Sequence, residues 1–434
     1  MHLLRSLKES NTDIRLLWGL VFVRMAGYGL TNQVLTLYLE ALGNSGFQIG
    51  IFMTLTLVGD TIISYMLTWN ADRIGRRKVI IIGTGLMIFS GLIFAKYSNF
   101  HLLLFAAIVG VISPSGDETG PFKSVEEASI AHLTPNNHRP EIFAFYGLFT
   151  TAGAALGSVL AGLLVDHMNL TWKFELETCY RIIFVVYAIF SFFKFILACF
   201  LSPKCEIYHK NIGVDDEDTS LLPENEPVDT KKLSQTTLHI LPRLLIVFML
   251  DSLGYGFMPS AWIVYYLKKT FEITATSLGV LFFVTNSINA ISSLPSAYFS
   301  KLLGPVKAIL FTQVPSAIFF SIITVMNSFP IVVVLLILYY FTSTMDVVPR
   351  QILLTTVIPK HEITKVMGIV NIGKTFARCF GPVFTGRLAT HKKLHFGFLI
   401  NGICLILADS VLGISFLKLD HEILLKQSIN QSIE

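Results

Sequence analysis

Twelve runs of predominantly apolar residues divide this 434-residue chain. Each approaches or exceeds the roughly twenty residues that carry a helix across a bilayer. They lie near 14–39, 47–69, 79–97, 101–126, 141–165 and 181–202, then 242–267, 274–299, 306–327, 329–358, 364–388 and 394–417. Lipid offers backbone N–H and C=O groups no water, and a helix satisfies these groups within itself. The expected fold is therefore all-α and integral to the membrane. Composition agrees: 14% of residues are charged, against roughly 25% in soluble domains, and mean hydropathy is +0.64. A soluble enzyme, a nucleic-acid-binding protein and a disordered chain are excluded. The net charge of +4 is too small and scattered to grip a polyanion.

Lys and Arg set the expected sidedness. With both termini in the cytosol, the cytosolic segments hold more than twice as many of them as the opposite face. The pair Lys392/Lys393 runs against that bias. Asn169-Leu-Thr171, a glycosylation triplet, falls on the non-cytosolic side. The first run, from Ile14, is too long for a cleaved signal and is expected to stay as the first span. The longest polar stretch, 202–241, holds Asp215-Asp216-Glu217-Asp218 and reads as a flexible acidic cytosolic linker. It separates a half of six spans, 1–201, from a second half of six, 242–417, with a cytosolic tail at 418–434.

The halves echo each other. Span five carries Gly153-Ala-Ala-Leu-Gly157-Ser158-Val-Leu-Ala161-Gly162, and span eleven carries Ala377-Arg-Cys-Phe-Gly381-Pro382-Val-Phe-Thr385-Gly386. Small residues at this spacing let helices approach closely in lipid. Taken singly, either segment is ordinary packing; matched, they indicate a repeat. Two six-helix halves repeated in parallel form a transporter architecture, with a site between them at mid-membrane.

Between spans two and three lies Asp72-Arg73-Ile-Gly75-Arg76-Arg77. Read alone, it is a topology anchor or a charge latch, in which Asp72 holds basic groups near a helix end of the other half and Gly75 supplies a turn. This loop resembles the signature of the major facilitator superfamily, Gly-x-x-x-Asp-Arg-x-Gly-Arg-Arg/Lys. It departs at the first position, where Thr68 stands for glycine. The span-five segment is similar to the superfamily's Gly-x-x-x-Gly-Pro-x-x-Gly-Gly motif, typical of antiporters, with Ser158 in place of proline and Ala161 in place of the first paired glycine. The resemblance implies the twelve-helix fold of that superfamily, a small-molecule substrate and, through the antiporter motif, exchange for protons. Leu201-Ser-Pro203-Lys204 is only a shadow of the sugar-porter signature, and the Arg usual in span four of drug antiporters is absent.

Charges inside the spans bear on mechanism. Asp60, Asp117, Glu118, Asp251, Asp346 and Asp409 fall within them, as do Arg24, Lys123, Lys194, Arg350, Lys374 and Arg378. Each costs roughly 2.5–3.5 kcal/mol at a helix centre, so they must pair, snorkel or line water. Arg24, Asp60 and Asp251 either line a cavity or make structural ion pairs. Lys194 and Asp409 read as structural or snorkelling. Span four contains Ser113-Pro114-Ser-Gly116-Asp117-Glu118-Thr-Gly120-Pro121-Phe-Lys123, where two prolines and two glycines oppose a regular helix. Such breaks often mark binding sites, and Asp346-Val-Val-Pro349-Arg350 in span ten is related. Glu126 and Glu127, at the cytosolic boundary, read as solvated. Proton coupling needs a buried carboxylate that yields its proton when a cation swings in. Asp60, Glu118, Asp251 and Asp346 are the candidates, with Arg24, Lys123 and Arg350 as switching partners.

Glu217-Asp-Thr-Ser-Leu221-Leu222 matches an acidic dileucine sorting signal. It tilts localisation to a vacuolar or lysosomal membrane over the plasma or ER membrane, and makes sorting adaptors expected partners. No cofactor, metal site or nucleic-acid partner is expected; the five cysteines show no metal spacing. HExxH, GxSxG and phosphate-loop motifs are absent, so no enzyme is expected. The resulting expectation is a monomeric secondary transporter in the lipid bilayer, proton-coupled antiport being the first mode. An importer or uniporter of a metabolite or organic anion is the second reading, and a non-transporting receptor or scaffold the third.

Overall fold

The computed structural model describes residues 11–110, 112, 121–134, 139–206, 234–359 and 362–433. Fifteen α-helices run through them: α1 Thr12–Ala41, α2 Gly46–Ile74, α3 Arg76–Lys96, α4 Phe100–Val109, α5 Pro121–Leu133, α6 Arg139–Asp166, α7 Leu176–Cys199, α8 Gln235–Phe257, α9 Ser260–Phe271, α10 Ala275–Leu303, α11 Pro305–Ile322, α12 Phe329–Ser343, α13 Val347–Val357, α14 Ile363–Thr390 and α15 Phe396–Ile433. Nine helical stretches among the described residues are long and apolar enough to cross a membrane unaided. The helices α1 and α14 are as long but carry charge. Among the described residues α4 and α5 overlap the fourth apolar run, and with α1, α14 and the nine stretches they account for all twelve runs.

Local chemistry sets the helix ends. Ser45 and Gln48 form a reciprocal capping box at the start of α2. Asn99, Ser234 and Thr274 cap α4, α8 and α10 through their side-chain oxygens. The seventh apolar run, continuous in hydropathy, is cut at Met258-Pro259 into α8 and α9. Proline lacks the N–H that would continue the helix. In the tenth crossing a 3₁₀ turn, Thr344–Asp346, joins α12 to α13.

The small-residue segments sit where helices nearly touch. A Cβ on Gly153 or Gly157 of α6 would lie 2.3 Å from Phe22 O or 2.0 Å from Ala26 O of α1; one on Gly381 of α14 would lie 2.0 Å from Gly256 C of α8. At the far ends the same helices cross to the other half. Gly162 of α6 abuts Ala275 of α10, while Pro382 and Gly386 of α14 abut Gly50 and Gly46 of α2. Each half thus offers one helix that packs on its own first helix and on the partner half, as the repeat predicts. The outer surface is studded with large apolar side chains, among them Phe105, Phe193, Phe311 and, at 88% exposure, Ile414. That belt is the surface lipid covers.

Candidate functional site

The close approaches between halves gather at one end of the bundle. Near the starts of α2 and α10 and the ends of α6 and α14, Phe47 N donates to Thr390 (2.9 Å), and Ala275 N and Thr276 N donate to the Asp166 carboxylate (3.1 and 2.7 Å). Between α1 and α9, Asn32 donates to Ser260 (2.8 Å) and Thr36 to the Ala261 carbonyl (3.1 Å). Further along, Glu40 pairs with Lys269 (2.9 Å) and accepts from the Tyr265 hydroxyl (2.9 Å). Away from this seal the halves enclose a cavity of about 770 Å³. Its walls come from α2, α5 and α6 on one side and α10 and α14 on the other, with Met25 of α1. It lies toward the face that carries Gly75, Ser202, Ser234 and Gly304.

Asp60 and Lys123 line this cavity, as does Glu127. Asp60 accepts a hydrogen bond from Ser64 at 3.2 Å. Opposite stand Asn286, Asn289, Asn371, Lys374 and Arg378. Sequence reading counted the last two among the in-span bases without singling them out. The spacing of Asn371, Lys374 and Arg378, three and four residues apart, carries the signal, since it puts all three on one helix face.

Arg24 does not reach the cavity. It is 1% exposed and pairs with Glu126 of α5 at 2.7 Å, and Lys194 of α7 pairs with the other carboxylate oxygen at 3.4 Å. The Tyr146 hydroxyl donates to Glu126 at 2.9 Å. The Phe122 ring lies 4.1 Å from the Lys194 ammonium. The expectation that Glu126 is solvated is therefore wrong. One residue turns a helix by about 100°, so Glu127 faces the cavity while Glu126 faces inward. Of Arg24's two open roles, the structural ion pair is the one the fold builds, and Lys194 is buried rather than snorkelling.

The second half has its own buried network. Arg350 of α13 makes a bidentate pair with Asp251 of α8 (3.0 and 3.1 Å) and a bond to Asp346 one turn earlier. Gln313 of α11 donates to Asp251 at 2.6 Å. The Arg350 guanidinium also faces the ring of Phe248 (5.3 Å), and Lys374 lies 5.8 Å from the same ring. The network is thus one aromatic ring from the cavity wall. Asp409 of α15 is 2% exposed with no hydrogen-bond partner on either oxygen among the described residues.

In the loop between α2 and α3, Gly75 has φ +102°, so the turn expected of it is made in the left-handed region that favours glycine. Arg76 donates to Ala128 O (3.0 Å) and Arg77 to Cys199 O (2.8 Å), both within the first half. The side chains of Asp72 and Arg73 lie outside the described residues, as do Asp117, Glu118 and the sorting triplet Glu217, Leu221 and Leu222. The Asn169 amide, in the helical turn His167–Thr171, donates to Phe174 O at 2.9 Å.

The sequence profile of the Major Facilitator Superfamily matches residues 17–238 and 244–429. The chain belongs to the major facilitator superfamily. Within that superfamily it is 46% identical over 440 residues to the "uncharacterized membrane protein YJR124C" of Saccharomyces cerevisiae, covering 98% of each chain. Its similarity to the quinolone resistance protein NorA of Staphylococcus aureus is 27% over 156 residues, 36% of this chain and 39% of that protein. Its fold is similar to that of a bacterial homologue of the human lysosomal transporter Spinster, in an inward-facing and unoccupied conformation, with a TM-score of 0.72 at 10% identity over 93% of this chain and 96% of that one. As a superfamily member it is a multi-pass membrane protein with a transporter's architecture.

Proposed function

We propose that this protein is a secondary active transporter that moves a small organic solute by alternating access, with proton-coupled antiport as its mode. The observation that carries this is the polar cavity walled by both halves and sealed at one end. A solute site shared by two rigid bodies passes from one face to the other when they rock. Asp251 and Asp346 share one guanidinium. A proton arriving on either frees Arg350 for the other, and the shift reaches the cavity through Phe248. Asp60, on the cavity wall, is the alternative proton carrier, with Lys123 of the same wall as its switching partner.

Proteoliposomes loaded with a pH-sensitive dye test this. Substrate addition moves protons, and Asp60→Asn, Asp251→Asn or Asp346→Asn abolishes the signal. Retained coupling in these three variants and in Glu118→Gln overturns the proton mechanism. A second reading, a uniporter or importer of an organic anion or other metabolite, is favoured by the three bases on the cavity wall. It expects labelled solute to equilibrate with no proton signal. The retained in-membrane charges speak against a scaffold.

The bias of basic residues supports cytosolic termini, and the dileucine tilts the proposed location toward a vacuolar or lysosomal membrane. Replacing Leu221 and Leu222 by alanine is expected to redirect the protein, and unchanged localisation on fluorescence microscopy removes the sorting argument.

A further inference from the structure

The repeat that orders the helices also orders their buried charges, with the signs reversed. Arg24-Met-Ala-Gly27-Tyr28-Gly29 of α1 matches Asp251-Ser-Leu-Gly254-Tyr255-Gly256 of α8. The register holds in space. A Cβ on Gly29 would lie 2.3 Å from Ala154 O of α6, and one on Gly256 2.4 Å from Arg378 O of α14. Ala154 and Arg378 are each second in their small-residue segments. Arg24 thus answers to Asp251. Glu126 of α5 answers to Arg350 of α13, each nine residues before a proline, Pro135 and Pro359. Lys194 of α7 and Asp409 of α15 stand twelve and eleven residues before Glu206 and Asp420, the acids that accept from Arg76 N and Val306 N. The triad therefore reads plus, minus, plus in the first half and minus, plus, minus in the second.

The two triads are wired differently. In the first, Glu126 joins both cations, Arg24 at 2.7 Å and Lys194 at 3.4 Å. In the second, the three nitrogens of Arg350 donate to Asp251 and Asp346. Asp346 stands where the first half has Phe122, four residues before the central charge. Asp409 is left over. It is 2% exposed, and neither carboxyl oxygen has a hydrogen-bond partner among the described residues. The charges that act on it are Arg350, Asp251 and Asp346. From α11, which also packs on α15, the neutral amide of Gln313 joins the same network. A carboxylate anion sealed from water with no donor is a costly species, whereas the carboxylic acid is neutral.

We propose that Asp409 is a proton-binding residue, which holds a proton in this conformation and releases it when Arg350 turns to it. This rests on the proton-coupled reading above and adds a third acid to its switch. A proton taken up by Asp346 frees the guanidinium, which then pairs with Asp409. The Asp409 O–H bond breaks, its electron pair stays on the carboxylate, and the proton passes to water. One proton enters and one leaves, so the buried charge is constant throughout.

Infrared spectroscopy of the full-length protein in detergent reads this proton directly, because the C=O stretch of a carboxylic acid is separate from the carboxylate bands. The parent at neutral pH should show a protonated-carboxyl band that Asp409→Asn removes and Asp409→Glu restores. Thermal unfolding gives a second readout. Replacing a neutral buried acid by its amide should leave the transition at or above that of the parent, whereas deleting an ion-paired carboxylate lowers it sharply. In proteoliposomes, substrate-driven proton movement should vanish in Asp409→Asn and return at least in part in Asp409→Glu. A band that persists in Asp409→Asn, a transition well below the parent's, or proton movement retained in Asp409→Asn overturns the inference. The two readings fail separately. Proton movement in the parent without the band overturns the Asp409 assignment and leaves antiport standing. The band without proton movement in the parent overturns antiport and leaves Asp409 as a proton site.

Discussion

Glu126 sits between two cations with none of its side chain exposed. Its carboxylate offsets the desolvation of Arg24 and Lys194 together, so removing its charge leaves two buried cations facing one another. Breaking a buried pair by deleting one partner costs about 3–5 kcal/mol. Glu126→Gln is therefore expected to lower the unfolding temperature of the detergent-solubilised protein sharply. Adding Lys194→Met, which removes the surplus cation at similar volume, should recover part of the loss. If Glu126→Gln unfolds at the parent temperature, the cluster does not hold the first half together. Hydropathy could not foresee this residue, because Glu126-Glu127 reads as one charged boundary and a profile has no azimuth. The cavity cations were nearer to legible: Lys374 and Arg378 were counted among the in-span bases, and their helical spacing with Asn371 would have singled them out.

At the level of helices, the two halves solve one problem alike. Gly75 and Gly304 both turn with positive φ, +102° and +86°, and each precedes a helix whose first N–H groups need acceptors. Glu206, beyond α7, accepts from Arg76 N at 2.8 Å; Asp420, on the α15 extension past the membrane-crossing part, accepts from Val306 N and Lys307 N at 2.8 and 2.7 Å. Burial pushes the Asp420 carboxyl above its ordinary value, and the two N–H groups and Lys307 only partly oppose it. For an acid raised on folding, the stabilising contribution is complete below the unfolded value of 3.8 and fades as pH rises through the folded value. The parent should thus lose thermal stability relative to Asp420→Asn as pH climbs from below 3.8. Parallel unfolding curves for the two proteins across that window would refute the assignment. This pairing was invisible in sequence because its partners are more than a hundred residues apart. The repeat behind it was legible, since Gly157 and Gly381 recur at matched places in equivalent helices. The break at Met258-Pro259 was not, because a proline at a helix start does not interrupt an apolar run.

Across the whole molecule, the twelve crossings follow from a single length imposed by lipid, whereas the cavity draws on side chains from residue 25 to residue 378 and exists only once the halves meet. What holds them is concentrated at the sealed end. There Asp166 of one half caps the first turn of α10 in the other, where the helix dipole adds to two charge-assisted bonds. In the alternating-access cycle proposed above, that cap breaks when the sealed face opens. Bonds to a charged group contribute about 1.5–3 kcal/mol each, so their loss should shift the balance of open and closed states by at least about tenfold. Gln33 lies at the sealed end beside Asp166 and is 5% exposed, which makes Gln33→Cys in a background lacking the native cysteines a reporter of closure. Its labelling by a membrane-impermeant maleimide, applied from the sealed face, should be slow in the parent. Asp166→Ala should speed it several-fold, and Asp166→Glu, which keeps the acceptor, should do so less. If Asp166→Ala leaves the labelling rate unchanged, the cap is incidental to closure, and the weight of the seal falls on Glu40, Lys269 and Tyr265, the cluster at the end of α1.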